Sequence, residues 1–85
     1  MSVDVHVLLF AKCRELAKTS TATFNVPSEI VASELLQKLV EKFDLTSIRD
    51  NIILALNEVY IENLNDRIVL KKGDEIAIIP PISGG

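Results

Sequence analysis

The chain has no tryptophan, one cysteine, one histidine, three glycines and three prolines in 85 residues. A lone Cys13 excludes an internal disulfide framework and suits a reducing compartment. One cysteine with one histidine, His6, cannot complete a tetrahedral zinc site without outside ligands, so no metal site is expected. The scarcity of glycine and proline excludes fibrous and low-complexity classes. No stretch approaches the ~20 apolar residues of a membrane-spanning helix, and Met1-Ser2-Val3-Asp4 lacks the basic region of a secretory signal, so a cytosolic protein is expected. Basic residues are the minority, nine against twelve acidic, for a net charge of −3. That balance argues against non-specific binding to nucleic acid or to an anionic membrane and leaves proteins as the expected partners.

What the chain does have is apolar content, 48% of residues, enough for one globular domain over 1–85. At this length folding buries only somewhat more than ~60% of the unfolded surface, so a single modest core is shared by every element. Little room is left for an internal active site.

The order of elements follows from hydrophobic spacing. Val3 to Phe10 alternates as a strand, with Val3, Val5, Val7 and Leu9 on one face and Asp4, His6, Leu8 and Phe10 on the other. Ala11 to Ala17 contains good helix formers but is too short for a stable isolated helix, and is read as a helical loop. Thr21 to Val26 alternates again with Ala22, Phe24 and Val26 inward, and Pro27 ends the strand. Ser28 to Phe43 reads as the main helix, with Val31, Leu35, Leu36, Leu39, Val40 and Phe43 at three-to-four spacing. A connector from Leu45 to Asn51 has room for one short helix around Ile48. Ile52 to Leu56 is apolar on both faces and reads as a central strand. Asn57-Glu58 reads as a turn and Val59 to Ile61 as a short strand. Ile68 to Leu70 is a further short strand, and Lys71-Lys72-Gly73-Asp74 turns the chain into a final strand, Glu75 to Pro80. Strand, strand, helix, then several strands predicts an α+β domain of ubiquitin-like β-grasp order, one main helix packed across a mixed sheet. The first and last strands are then parallel neighbours at its centre.

The last strand runs into Pro80-Pro81-Ile82-Ser83-Gly84-Gly85. Two closing glycines arise by chance in roughly 0.5% of chains at average usage. Residues without Cβ can thread a narrow channel, so Gly84 and Gly85 suit chemistry on a terminal carboxylate inside another protein's active site. Pro80 and Pro81 fix φ and lack N–H donors, which favours a stiff, extended tail over 80–85. A frayed end without a role fits the same residues.

Three segments carry a resemblance. Leu8-Leu9-Phe10-Ala11-Lys12-Cys13-Arg14-Glu15-Leu16, Ile53 to Ile61, and Lys72-Gly73-Asp74-Glu75 through Pro80-Pro81 to Gly84-Gly85 together resemble the small, sulfur-carrier subunits of molybdopterin synthase, most of all the eukaryotic ones. The resemblance implies that Gly85 is adenylated, at the expense of ATP, by an enzyme resembling a ubiquitin activator, and then converted to a thiocarboxylate. It implies delivery of that sulfur to cyclic pyranopterin monophosphate within the large synthase subunit, in a heterotetramer of two small and two large subunits. No stably bound cofactor is implied, catalytic side chains belong to the partner, and the chain alone should catalyse nothing.

The resemblance also implies a hydrophobic docking face. Leu8 and Phe10 point outward from the first strand, Ile79 is outward if Ile76 and Ile78 are inward, and Tyr60 is a candidate to join them. Isolated exposure or burial beneath a loop is the competing account of these residues. Insertion of Pro80, Pro81, Ile82, Ser83, Gly84 and Gly85 into the large subunit completes the expected contact. Cys13 and His6 read as structural or solvated residues. Lys12 and Arg14 either contact acidic groups on a partner or form a solvated pair with Glu15. Sulfur carriers of thiamine synthesis or transfer RNA thiolation, and ubiquitin-like modifiers that form isopeptides with lysine, share the glycine ending and are the alternatives.

Overall fold

Alternation in the first strand sets the sheet. In the computed structural model, which describes residues 1–80, β1 (Ser2–Leu9) buries Val5, Val7 and Leu9 and turns Asp4, His6 and Leu8 to the opposite face. It pairs antiparallel with β2 (Thr21–Pro27), from Ser2 opposite Pro27 to Leu8 opposite Thr21. On its other edge it runs parallel to β7 (Glu75–Ile79), with His6 beside Glu75 and Leu9 beside Ile78. β4 (Ile53–Leu56) and β5 (Val59–Tyr60) complete a five-stranded sheet of order β2-β1-β7-β4-β5. The expected central, parallel pairing of first and last strands is present, and the architecture is the ubiquitin-like β-grasp.

α2 (Ala32–Phe43) lays Ala32, Leu35, Leu36, Leu39, Val40 and Phe43 into a core shared with Val5, Val7, Leu54, Ile76 and Ile78. Phe43 meets Phe24 of β2 edge to face, with ring centroids 6.1 Å apart. The helix starts later than its hydrophobic spacing suggests. Glu29–Val31 forms β3 instead, pairing antiparallel with β6 (Arg67–Val69) in a separate two-stranded sheet. The physical reason is local. Ile30 and Ile68 stand opposite each other and are both buried, and β-branched Ile30 and Val31 suit a strand. The helix's first donors are then met by the 64–66 loop: the Ala32 N–H donates to the Asp66 carbonyl and the Ser33 N–H to the Leu64 carbonyl, each at 2.8 Å. No side-chain cap is required.

The Ala11–Ala17 segment is a formed helix, α1, rather than a loop. Tertiary packing supplies what its length cannot: Cys13 is fully buried, and Leu16 and Ala17 pack against the core. The connector contains a 3₁₀ helix, Thr46–Asn51, around Ile48 as expected. Both predicted turns are present. Gly73 sits at φ 87, and a Cβ there would meet nothing within 4 Å, so the role of glycine at this turn is conformational rather than steric.

Candidate functional site

The site is built by parity and register. Because Ile76 and Ile78 are buried, Glu75, Ala77 and Ile79 must face the other way. Register then sets their neighbours. Leu8 lies beside Ala77, Ala77 beside Ala55, and Ala55 beside Tyr60, giving one row across four strands. The next row holds Ile79 and Ile53, and Phe10 borders it, its backbone N–H donating to the Ile78 carbonyl at 3.3 Å. The row on the other side begins with His6 and Glu75 and meets Asn57, whose backbone N–H donates to the Glu75 carbonyl at 2.8 Å, with Glu58 next in the β4–β5 turn.

Side-chain size along the central row shapes the surface. Ala55 and Ala77 form a low floor between the taller Leu8 and Tyr60. With Phe10, Ile79, Glu58 and Glu75 they line a shallow concavity of about 300 Å³. Ala55 is 3% exposed yet lies outside the core cluster, as a floor residue on the outer face does. Phe10 and Tyr60 remain 46% and 64% exposed. Large apolar side chains held in the open around a concavity suit an apolar partner surface.

The structure therefore brings together Leu8, Phe10, Tyr60 and Ile79, the four outward residues singled out in the sequence. Pro80 follows directly, half-buried. Pro81, Ile82, Ser83, Gly84 and Gly85 lie outside the described residues. Ala55, Ala77, Glu58 and Glu75 escape the reading of the sequence. Period-two counting back from Ile79 finds Ala77 and Glu75, but only the strand pairing finds Ala55, and only the path of the β4–β5 turn brings in Glu58.

Other candidates fall elsewhere. Cys13 is sealed in the core, where burial pushes its thiol pKa up against the smaller opposing effect of a backbone hydrogen bond. His6 is exposed on the outer face, and among the described residues no cluster of His, Cys, Asp or Glu could hold a metal ion. Lys12 and Arg14 are exposed on α1, and among the described residues neither forms an ion pair with Glu15. No described helix is long and apolar enough to cross a membrane.

The ThiS family model matches residues 7–85. The chain is 69% identical over 83 residues to the molybdopterin synthase sulfur carrier subunit of Drosophila melanogaster, covering 98% of this chain and 92% of that one. It is 52% identical to the Anopheles gambiae protein of the same name, covering 99% and 94%. Among solved structures, a chain in the complex of subunits 1 and 2 of the Helicobacter pylori molybdopterin-converting factor is similar at 31% identity, with coverage of 98% and 100% and a TM-score of 0.67. The small archaeal modifier protein 1 of Methanosarcina acetivorans superposes with a TM-score of 0.76 at 27% identity, covering 100% and 99%. With a family match over nearly its whole length and relatives this similar on the same span, the chain belongs to the ThiS family, among the small, sulfur-carrier subunits of molybdopterin synthase.

Proposed function

We propose that the chain is the sulfur carrier of molybdenum cofactor biosynthesis, one unit over 1–85 whose segment 80–85 is the working tail. One observation carries the geometric side of this reading. β7 is the central strand of the sheet and ends at Ile79, whose side chain lines the docking concavity. Whatever seats there lies at the base of residues 80–85. A partner that docks on Phe10, Tyr60 and Ile79 is positioned to receive Pro80, Pro81, Ile82, Ser83, Gly84 and Gly85 in its own active site.

The chemistry follows from the terminal carboxylate. Adenylation by a ubiquitin-activator-like enzyme, using ATP, turns a poor electrophile into an acyl phosphate anhydride. Replacement of AMP by sulfur then leaves a thiocarboxylate at Gly85, which is ionised at neutral pH and a soft nucleophile. Within the large synthase subunit it donates that sulfur to cyclic pyranopterin monophosphate. In this reading the chain binds no cofactor stably and holds the reagent, while the partner supplies the catalytic side chains in an assembly of two small and two large subunits. The relatives' shared name and the two-subunit Helicobacter pylori complex support this assignment. The likeness to an archaeal modifier protein supports a second reading, isopeptide formation with target lysines.

Intact mass measurement after incubation with activating enzyme, ATP and a sulfur donor separates them. Exchange of one terminal oxygen for sulfur is expected, and deletion of Gly85 should abolish the exchange while leaving the thermal unfolding of the domain unchanged. Absence of exchange, together with stable lysine conjugates in cells, refutes the carrier reading.

A further inference from the structure

The concavity is apolar on three sides and acidic on the fourth. Glu75 opens the outward row of β7, and Glu58, in the β4–β5 turn beside its partner Asn57, lines the same concavity. A third carboxylate nearby, Asp74, is already engaged: it accepts hydrogen bonds from the Lys71 backbone N–H at 2.8 Å and from the Asn57 amide at 3.2 Å. Glu58 and Glu75 differ from it. Among the described residues neither carboxylate takes part in a side-chain hydrogen bond, and the ion pair found joins Arg67 to Glu29 in the separate two-stranded sheet and involves neither of them. Their acceptor capacity is unspent, and both border a floor that a partner would dry on docking.

We infer that Glu58 and Glu75 are specificity-determining residues, an acidic rim that admits a partner surface presenting an arginine or lysine beside an apolar side chain. The inference rests on the docking reading above and names the chemistry of the partner at that face. The alanine floor takes the apolar group and the two glutamates take the cation. A carboxylate enclosed by an apolar partner without a counter-charge would be left desolvated and unpaired, so the rim also rejects apolar or acidic surfaces of similar shape. Its distance from the tail suits that role. At ~3.3 Å per residue, Glu75 lies about 13 Å from Ile79, so the cation contact reads the partner without crowding the segment that enters the active site.

The test is calorimetric binding of the full chain to the large synthase subunit at low and high salt, for wild type, the double variant Glu58→Gln with Glu75→Gln, and Phe10→Ala. Gln keeps the size of each side chain, and neither carboxylate holds any internal bond, so unfolding temperatures should match wild type. The double variant should bind about tenfold more weakly at low salt and lose most of the salt dependence. Phe10→Ala should weaken binding while keeping the salt dependence. A double variant within twofold of wild type with an unchanged salt response overturns the acidic rim, and so does tighter binding. If Phe10→Ala also binds as wild type, the docking face itself is refuted.

Discussion

Glutamate 58 sits where the backbone would rather have glycine, and replacing it should move stability and docking in opposite directions. Asn57 and Glu58 have φ of 48° and 70°, and Leu56 pairs with Val59 across them. Two central residues at positive φ make the tight hairpin turn in which Asn-Gly is the favoured pair. Asparagine tolerates the first position. At the second, a side chain with a Cβ costs roughly 1–2 kcal/mol in the left-handed region. Glycine removes that cost but makes the unfolded chain more flexible, giving back roughly 0.5–1 kcal/mol. Glu58→Gly should therefore stabilise the domain by about 0.5–1 kcal/mol, raising the unfolding midpoint by roughly 2–8 °C in a domain of this size. Thermal unfolding followed by circular dichroism reads this directly. The same substitution removes a rim carboxylate, so binding to the large subunit should weaken. Glu58→Gln separates the two effects: it keeps the strain, leaves the midpoint near wild type, and weakens binding. A lower midpoint for Glu58→Gly, or an equal rise for Glu58→Gln, refutes the strain argument.

Acid should reveal the role of Asp74. Its hydrogen bonds from the Lys71 N–H and the Asn57 amide, helped by the Lys71 charge, hold its carboxyl below the usual value against a small opposing effect of burial. A depressed carboxylate contributes stability above its unfolded pKa of about 3.9 and loses it as pH falls through the folded value. Asp74→Asn should thus be less stable than wild type at neutral pH, and the gap should narrow below about pH 4. A gap that stays constant as the pH is lowered well past that point in a thermal unfolding series contradicts this. Cys13 should resist iodoacetamide in the native protein, since its raised pKa and complete burial leave little accessible thiolate, and should react only at the rate of opening. Mass spectra showing alkylation at the rate of a free thiol would place Cys13 outside the core.

Much of this molecule is legible in its sequence because long amphipathic elements announce themselves. Period-two alternation locates β1 and β7 and their buried faces, and the same counting exposes Phe10 and Ile79. Short elements resist such reading for a physical reason. Ile30 and Val31 fit the apolar spacing of the following helix as well as they fit a strand, and only Ile68, remote in sequence, decides between them. Propensity undervalues α1 because its stability comes from burying Cys13 rather than from its seven residues. At the candidate site the large residues are legible and the small ones are not. An alanine in a strand signals neither core nor surface, yet Ala55 and Ala77 give the face its hollow. Glu58 reads as an ordinary turn residue until its φ and its place beside Glu75 are known.

The parallel pairing of β1 with β7 also makes the docking face a certificate of completion. Leu8 and Phe10 come from the start of the chain and Ile79 from the far end of the described residues, and β7 is the middle of the sheet. A nascent chain on the ribosome has the first half of this face but cannot close it until Glu75–Ile79 has emerged and inserted between β1 and β4. Contacts so distant in sequence form late and slowly. A partner that recognises the assembled face is thereby blind to partly made or misfolded copies.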